Sequence, residues 1–237
     1  MRYPTEPGTL YIVSTPIGNL SDITLRALQV LSSVDLIAAE DTRTTRILLE
    51  HYGIKTPMIS YYARNEKLRA PELVNHLRQG KTIALVSDAG TPAISDPGAI
   101  LVRAAIESNQ PIVPIPGPTA FVAALTLSGL RTDRFVFEGF LPTKKGRKRK
   151  LSCLAQEMRT IVLYESSHRL LKTLRELVEA MGERRASVSR ELTKKYEETV
   201  RGSLPEILSY YEKRSVKGEF IIVIEGIEHA KRREAFS

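Results

Sequence analysis

The sequence predicts an α/β protein made of two α/β domains. Short apolar segments alternate with helix-length segments through the first half, which is typical of parallel β-α-β units. Several of these apolar segments run into loops rich in proline and glycine, at the strand ends where open α/β sheets bind ligands. In the second half, two strand-like segments follow each other with almost no room for a helix, which indicates a mixed sheet.

The first half is expected to form a parallel sheet covered by helices. The predicted strands are 9–14, 35–40, 58–62, 82–87 and 111–115, and the predicted helices are 22–32, 42–52, 66–79, 98–108 and 118–128. Ser21 and Asp22 are suitable N-caps for the first helix, because their side-chain oxygens can accept the free amides of a first turn. Gly53 and Gly80 stand where the second and third helices end, and glycine favours the left-handed conformation of such ends.

The second half is expected to form a mixed sheet. Its predicted strands are 134–140, 159–165, 186–191, 196–202 and 219–225, and its predicted helices are 146–157, 167–181 and 204–214. Lys194 and Lys195 would turn the hairpin between the two adjacent strands. The predicted division is an N-terminal domain 1–116, a C-terminal domain 117–228 and a charged, disordered tail 229–237. The two domains would face each other across a cleft.

Composition excludes several classes of protein. The 237 residues are 42% hydrophobic, which is enough for a sizeable core. No apolar run approaches the roughly 20 residues that span a bilayer, and the N-terminus lacks the apolar region of a signal peptide. Cys153 is the only cysteine, which excludes an internal disulfide and suits a cytoplasmic location. Four scattered histidines and one cysteine make no plausible zinc site.

The positive charge is concentrated in one short segment. The formal net charge is +8, and residues 1–116 contain equal numbers of basic and acidic side chains, so the whole excess lies in residues 117–237. In the basic segment 144–150, KKGRKRK, every residue except Gly146 is cationic. Such a cluster is typical of a contact with a polyphosphate, although a solvated helix start is the alternative. The candidate RNA-binding residues of this segment are Lys144, Lys145, Arg147, Lys148, Arg149 and Lys150.

Three loops at predicted strand ends carry the functional signal. They are the first loop 14–24 (STPIGNLSDIT), the second loop 87–98 (SDAGTPAISDPG) and the third loop 116–120 (PGPTA). None matches the glycine patterns of dinucleotide-binding or P-loop proteins. A single loop of this kind could be an ordinary capped strand-to-helix turn. Three of them at strand ends, in this order, form a specific pattern.

These loops resemble those of the tetrapyrrole methylase fold, which binds S-adenosylmethionine. The motifs T-P-I-G-N-L-x-D-I-T, S-D-A-G-T-P-x-I-S-D-P-G and P-G-P-x-A, with segments 162–169 and 189–194, are similar to the ribosomal RNA small subunit methyltransferases of that fold. Those enzymes methylate the ribose 2′-hydroxyl of a cytidine in the decoding region of 16S ribosomal RNA. The resemblance runs from about Gly8 to Ile227. It implies S-adenosylmethionine as cofactor, 16S ribosomal RNA of the small subunit as partner, and a homodimer.

The resemblance also implies which residues contact the cofactor between the two domains. Ala89, Gly90 and Thr91 would face it with main-chain groups. Asp88 either caps its own turn or orders the loop around the methionine amine. The expected cofactor-binding residues are Pro16, Asp88, Ala89, Gly90, Thr91, Ala93, Ile94, Pro116, Thr119, Ala120, Leu163, Tyr164 and Glu165.

Methyl transfer to a ribose hydroxyl would benefit from a general base, because the hydroxyl is a weak acid. Glu165 is the favoured candidate, since the resemblance points the end of its strand at the cofactor. It could instead only bind the cofactor and leave the proton to water. The other carboxylate candidates are Glu191, Glu198, Asp22 and Asp41. The chemistry requires neither a metal ion nor a covalent nucleophile.

Basic residues outside the basic segment are further candidates for RNA contacts. Arg190 and Lys194 could steady the phosphates that flank the target nucleotide. Arg43 and Arg46 could do the same from the first domain, or form an ordinary helix-surface pair. Two other functions stay open at this point. One is methylation of a corrinoid or porphyrinoid ring, and the other is a non-catalytic RNA-binding role in ribosome assembly.

Overall fold

The first part of the chain is built on a fully parallel sheet, as the sequence predicts. The computed structural model describes residues 4–227. The strands of this sheet are β1 (Leu10–Val13), β2 (Leu36–Ala39), β3 (Met58–Ser60), β4 (Ile83–Val86) and β5 (Ile112–Ile115). They lie in the order β3-β2-β4-β1-β5, and each neighbouring pair is parallel. The central strand β4 is wholly buried, which explains its continuous apolar sequence.

Helices cover both faces of the parallel sheet. The helices of this unit are α1 (Leu25–Ser33), α2 (Thr42–His51), α3 (Glu66–Arg78) and α4 (Ala99–Glu107). Leu31 of α1 and Leu49 of α2 pack in one core cluster. Leu73 of α3 and Leu101 of α4 pack in another. Alternate residues of β4 belong to the two clusters, so that both faces of the strand are used.

The first helix begins later than predicted, because Thr24 is its N-cap. The Thr24 hydroxyl accepts the Ala27 amide at 3.1 Å. Ser21 and Asp22, which were expected to cap this helix, belong instead to a short 3-10 turn capped by Asn19. The prediction was wrong because this separate turn precedes the helix. The helix-end glycines were predicted correctly, since both have positive φ directly after their helices.

The second part of the chain contains a mixed sheet, as predicted. Its strands are β6 (Phe135–Phe140), β7 (Thr160–Ser166), β8 (Arg185–Arg190), β9 (Glu198–Ser203) and β10 (Glu219–Ile224). Their order is β6-β7-β10-β8-β9. Strand β6 is parallel to β7, and the other pairs are antiparallel. Lys194 and Lys195 lie in the connection between β8 and β9, where the hairpin was expected.

Three of the helices in this second part share one apolar core. The helices here are α5 (Ala120–Leu127), α6 (Arg147–Ala155), α7 (Leu170–Met181) and α8 (Leu204–Glu212). Leu151, Leu174 and Ile207 come from α6, α7 and α8 and pack with Leu163 and Ile222 of the sheet. Helix α5 lies against β7 and β10.

The chain divides into two compact units between Thr119 and Ala120. The sequence predicts this division three residues earlier, between Pro116 and Gly117. The predicted disordered tail, 229–237, lies outside the described residues. Within residues 4–227, every helix is too short or too polar to cross a membrane.

The core of the first unit gives a direct test of helix packing. Leu31 is completely buried in α1, whereas Leu25 of the same helix is 79% exposed. We expect Leu31→Ala to lower the free energy of unfolding by about 2–5 kcal/mol, because it removes buried methyl groups and leaves a cavity. Leu25→Ala should change it by less than about 0.5 kcal/mol. Urea denaturation followed by circular dichroism measures both, and equal effects would contradict this packing.

Candidate active site

The three loops follow neighbouring strands of the parallel sheet. The first loop follows β1, the second follows β4 and the third follows β5. In the sheet, β1 lies between β4 and β5. Because these strands are parallel, their carboxyl ends lie at one edge, and the three loops emerge there side by side.

Main-chain hydrogen bonds join the first loop to the second. The Thr15 amide donates to the Gly90 carbonyl at 2.8 Å, and the Gly90 amide donates to the Thr15 carbonyl at 3.0 Å. The Thr15 hydroxyl also donates to the Ser87 carbonyl at 3.1 Å. The two main-chain bonds form an isolated antiparallel bridge beyond the parallel pair β1 and β4, and they fix the two loops to each other where they leave the sheet.

Side-chain hydroxyls connect the third loop to the other two. Thr91 Oγ1 lies 2.9 Å from Ser14 Oγ and 2.8 Å from Thr119 Oγ1. The backbone of Gly117 approaches Ser14 so closely that an added Cβ would lie 2.9 Å from the Ser14 Cβ. The loops therefore form one preformed surface, here called the loop edge (residues 14–24, 87–98 and 116–120).

The backbone of the second loop is strained. Ala93 and Ser95 both have φ of 67°, in the left-handed region that residues with a Cβ rarely adopt. Gly90 has φ of 80°, which glycine adopts without this cost. Strained backbone of this kind persists only where surrounding contacts hold it, and it is common at binding sites.

Carboxylates hold the loop edge by accepting main-chain amides. Glu40 Oε2 accepts the Asp88 amide at 3.3 Å, and Asp88 Oδ1 accepts the Asp41 amide at 3.0 Å. Glu66 Oε1 accepts the Gly98 amide at 2.8 Å. Asp88 therefore ties β4 to the end of β2, rather than capping its own turn. Sequence reasoning missed Glu40 and Glu66 here, because their partners are distant in the chain.

Asp96 has an unusual protonation equilibrium in this acidic environment. Its burial raises the pKa of the carboxyl to about 6, and the nearby Glu40 and Asp88 charges add to the rise. The Ser87 hydroxyl opposes it by hydrogen bonding. Burial likewise raises the pKa of Glu40, while the hydrogen bond from the Asp88 amide opposes the rise and the charge of the Asp88 carboxylate adds to it. The loop edge thus concentrates negative charge close to the predicted cofactor residues of the first unit.

The predicted cofactor residues of the first unit are gathered along the loop edge. Asp88, Ala89, Ile94 and Pro116 are exposed. Pro16 and Gly90 are buried, and the half-buried members are Thr91, Ala93 and Thr119. Ala120, the last residue of the third loop, is half-buried and begins α5 in the second unit.

A small cavity of about 130 Å³ opens beside the first and second loops. Its lining is mainly apolar and comprises Thr15, Pro16, Leu20, Thr44, Thr45, Ile47, Leu48, Ser87 and Asp88. Two predicted cofactor residues, Pro16 and Asp88, are therefore part of one concave surface. Within residues 4–227, no group of three or more His, Cys, Asp or Glu side chains is placed to hold a metal ion.

The predicted cofactor residues of the second unit are less accessible. Leu163 is completely buried in the core of that unit, so its side chain packs with the helices. Tyr164 points to the other face of β7 and is half-buried. Its ring lies 5.0 Å from Phe137 and 5.6 Å from Phe140. Of the residues predicted here, Tyr164 presents the most accessible side chain.

The structure does not support Glu165 as a general base. Its side chain is 1% exposed and is enclosed by α7. The Thr173 hydroxyl donates to Oε2 at 2.6 Å, and the Ser166 amide donates to Oε1 at 2.9 Å. Arg169 Nε lies 3.4 Å from Oε1. A carboxylate enclosed in this way has no access to a ribose hydroxyl, so the prediction of a catalytic Glu165 is corrected.

Three of the alternative carboxylates are also paired. Glu191 binds Lys194 at 3.0 Å, and Asp41 binds Arg43 at 2.6 Å. Glu198 accepts a hydrogen bond from Tyr210. Asp22 is exposed. None of these positions is singled out by its surroundings as the base.

The basic segment separates into an anchor and an exposed surface. Arg147 is 5% exposed, with its guanidinium bound to Glu176, Thr173 and the Pro142 carbonyl. The prediction that Arg147 contacts RNA is therefore wrong, because each guanidinium nitrogen already binds a protein group and the side chain is buried. The side chains that remain exposed are Lys144, Lys145, Lys148 and Arg149. Lys150 forms an ion pair with Glu138.

The other predicted RNA contacts differ in how much charge they present. Arg43 is 90% exposed and pairs with Asp41, while Arg46 is exposed on the same helix. Lys194 lies between Glu191 and Glu219, which offset its charge. Arg190 donates to the Lys217 carbonyl at 2.7 Å. The exposed residues of the basic segment are thus the stronger candidates.

Comparison with known proteins agrees with this geometry. The family described as tetrapyrrole (corrin/porphyrin) methylases matches residues 9–208. This chain belongs to that family. Its two sheets are therefore those of a tetrapyrrole methylase.

Within this family, the chain is most usefully compared with relatives that share one name. The chain is 56% identical over 221 residues to ribosomal RNA small subunit methyltransferase I of Synechocystis sp., covering 92% of this chain and 79% of the relative. The Thermotoga maritima protein of the same name is 48% identical, with 93% and 100% covered. The Escherichia coli O157:H7 protein of that name is 50% identical, with 92% and 78% covered.

Solved structures share the fold. Uroporphyrin-III-C-methyltransferase from Thermus thermophilus superposes with a TM-score of 0.66 at 18% identity, covering 95% of this chain and 98% of the other. A further structure of a Thermus thermophilus uroporphyrin-III C-methyltransferase, complexed with S-adenosyl homocysteine, has the same score and identity, with 94% and 99% covered.

The raised pKa of Asp96 predicts a specific dependence of stability on pH. The folded pKa of about 6 lies above the ordinary value of 3.8. The protonated form therefore stabilises the fold, and this contribution is lost as the pH rises from about 4 through 6. Asp96→Asn should remove this loss. The free energies of unfolding of the wild type and the variant, measured from about pH 4 to 7, should be similar at pH 4, and the variant should be the more stable protein at pH 7. If the difference between them is the same at every pH, the raised pKa is contradicted.

Glu165→Gln tests whether this carboxylate is structural. The variant keeps the shape of the side chain but removes the charge that faces Arg169. We expect a loss of about 1–3 kcal/mol in the free energy of unfolding. Removal of a general base would cost about 100- to 10,000-fold in rate. Single-turnover methyl transfer at saturating cofactor should fall by much less than that, and a loss in the full range would restore Glu165 as the base.

Proposed function

We propose that this chain is an S-adenosylmethionine-dependent methyltransferase that methylates the ribose 2′-hydroxyl of a cytidine in the decoding region of 16S ribosomal RNA. The observation that carries the proposal is the loop edge, in which three motif-bearing loops are joined at adjacent strand ends. Relatives named ribosomal RNA small subunit methyltransferase I, at up to 56% identity, support the choice of substrate.

The residues of the loop edge fit the proposed cofactor. Gly90 has φ of 80°, which favours glycine, and an added Cβ would already be in van der Waals contact with the Ile17 side chain at 3.4 Å and the Pro118 carbonyl at 3.7 Å. Asp88 and Ala89 beside it are exposed. In the proposal, main-chain groups of Ala89 to Thr91 bind the cofactor, with Ile94 and Thr119 alongside. When bound, the cofactor supplies an activated methyl group on a sulfonium.

The protein would contribute mainly by binding and orientation. Holding the acceptor oxygen in line with the methyl group supplies much of the rate enhancement of a transfer reaction. The preformed hydrogen bonds of Thr15 and Thr91 suit this role, because the loop edge needs little rearrangement to bind. Since Glu165 is enclosed, the ribose proton passes to solvent water in this proposal.

Exposed lysines and arginines of the basic segment would bind the RNA backbone. Lys144 and Lys145 precede α6, Lys148 and Arg149 lie in its first turn, and all four side chains are exposed. The proposed partner is 16S ribosomal RNA within the small subunit, in the cytoplasm. We also propose a homodimer, since α5 and β6 leave apolar Val122, Phe135 and Phe140 exposed.

Two other functions make different predictions. A ring methylase would transfer the methyl group to a porphyrinoid and would have little use for the exposed basic segment. A non-catalytic assembly protein would bind RNA without S-adenosylmethionine. Incubation with radiolabelled S-adenosylmethionine and either small ribosomal subunits, free 16S ribosomal RNA or a porphyrinoid separates the three. The proposal requires label in RNA, and label only in the porphyrinoid or in neither acceptor would refute it.

Gly90→Val tests the cofactor site. The variant should abolish S-adenosylmethionine binding, because the methyl groups of valine extend beyond a Cβ that already contacts Ile17 and Pro118 and would displace the main chain of the second loop. Gly53→Val is the matched control, since Gly53 also has positive φ but has nothing within 4 Å of an added Cβ. Both share the backbone strain, so calorimetric titration of the folded variants isolates the obstruction. Wild-type affinity in the folded Gly90→Val protein would show that the loop is only structural.

The basic segment predicts a salt dependence of RNA binding. Removing one phosphate-binding side chain lowers the slope of log affinity against log salt by about 0.7 to 0.9. The double variant Lys148→Ala, Arg149→Ala should thus reduce the slope by about 1.4 to 1.8 if both residues contact phosphates. Exposed Lys67 and Arg103 of the first unit, changed to Ala, form the control pair. Filter binding at several salt concentrations measures the slopes, and an unchanged slope would leave the segment a solvated surface.

A further inference from the structure

The loop between β6 and α6, residues 141–146, is held by arginine side chains at its start. Arg169 Nη2 donates to the Leu141 carbonyl at 2.6 Å. Arg147 Nη1 donates to the Pro142 carbonyl at 3.0 Å. Lys144 and Lys145 follow after Thr143 and are exposed. The two arginines therefore fix the stretch of main chain from which these lysines project.

Buried side chains link the two arginines to each other. Arg147 Nη2 donates to Thr173 Oγ1 at 2.7 Å, and the Thr173 hydroxyl donates to Glu165 Oε2 at 2.6 Å. Glu165 Oε1 faces Arg169 Nε at 3.4 Å. The chain of contacts runs from the Leu141 carbonyl through these four side chains and back to the Pro142 carbonyl. It is called here the loop anchor (Arg147, Glu165, Arg169 and Thr173).

Thr173 is the central link of the loop anchor. It is 1% exposed, and its hydroxyl both accepts from Arg147 and donates to Glu165. A hydroxyl has one hydrogen to donate, which is committed to the carboxylate. A valine of the same shape would leave the guanidinium and the carboxylate each without this partner, in a buried environment where unpaired polar groups are costly.

Apart from the loop anchor, the loop is held by the buried side chain of Leu141 at its start and by a 3.3 Å hydrogen bond from the Arg147 amide to the Lys144 carbonyl. Residues 142–146 are exposed, so they bury little apolar surface. Gly146 precedes α6 with φ of 83° and makes no side-chain capping bond. Segments with few buried contacts open easily unless polar contacts hold them. The loop anchor supplies such contacts from the interior of the second unit.

We propose that the loop anchor positions Lys144 and Lys145 for contact with RNA phosphates, so that Arg147, Glu165, Arg169 and Thr173 are positioning residues for substrate binding. This inference rests on the proposed function, since it takes RNA as the substrate. Holding the lysines in place before binding lowers the conformational entropy lost when they meet phosphates. It also gives a role to the two residues, Glu165 and Arg147, that burial removes from direct contact with ligands.

Thr173→Val and Thr173→Ser form the test pair. Thr173→Val should raise KM for RNA while kcat at saturating RNA and the affinity for S-adenosylmethionine stay at wild-type values. The salt slope of RNA binding should fall by up to about 1.4 to 1.8 if neither lysine reaches its phosphate in the variant. Trypsin should cleave the folded variant faster after Lys144 and Lys145. Thr173→Ser keeps the hydroxyl and should restore all of these values.

A matched control separates positioning from general destabilisation. Arg184 is another buried arginine of the second unit, and it donates to the Ala155 carbonyl away from the loop. Arg184→Met should destabilise the protein without changing tryptic cleavage after Lys144 or Lys145, or the salt slope. Wild-type cleavage and RNA affinity in folded Thr173→Val would overturn the proposal, as would equal effects of Arg184→Met.

The double variant Lys144→Ala, Lys145→Ala separates failure of this inference from failure of the proposed function. If the wild-type protein binds no RNA and methylates none, the proposed function fails, and with it the role of the anchor in RNA binding. If wild-type RNA binding is normal and the double variant leaves the salt slope unchanged, only the positioning proposal fails. A reduced slope in both the double variant and Thr173→Val supports it.

Discussion

The position of β1 between β4 and β5 is the constraint on which the candidate site depends. Because the three strands are parallel, this order delivers the three motif-bearing loops to one edge. The reciprocal main-chain bonds of Thr15 and Gly90 then join the first loop to the second. The hydroxyl contacts of Thr91 and the close approach of Gly117 are possible only after that alignment. A different strand order would scatter the same motifs.

Each unit uses buried or half-buried charged side chains to hold a loop, acidic ones in the first unit and basic ones in the second. In the first unit, the carboxylates of Glu40 and Glu66 accept main-chain amides of the second loop. In the second unit, Arg147 and Arg169 donate to main-chain carbonyls of the β6–α6 loop. Loops expose unpaired amides and carbonyls, and a charged partner forms a stronger hydrogen bond than a neutral one. Some charged residues that the sequence suggests as ligand contacts therefore hold the loops in place instead.

Local sequence was sufficient to predict the two sheets, because strand and helix periodicity is visible within each segment. The loop motifs also predicted where the candidate site lies. The role of Arg147 was not predictable from its basic neighbours, since its partners Thr173 and Glu176 lie on another helix. The prediction of Glu165 as a general base was wrong because Thr173 of α7, which helps to enclose its carboxylate, is a contact that the local sequence does not reveal. Residues distant in the chain decide which charges stay exposed.

The most direct test of the function is to map methylation of 16S ribosomal RNA in cells with and without the active gene. We expect one cytidine in the decoding region to carry a ribose methyl group. This methylation should be lost without the gene and should return when the wild-type gene is restored. Mass spectrometry identifies the added methyl group. Resistance of the adjacent linkage to alkaline hydrolysis places it on the 2′-oxygen, because that cleavage needs a free 2′-hydroxyl. Identical methylation maps in the two strains, or loss of a methyl group carried by a base, would contradict the account.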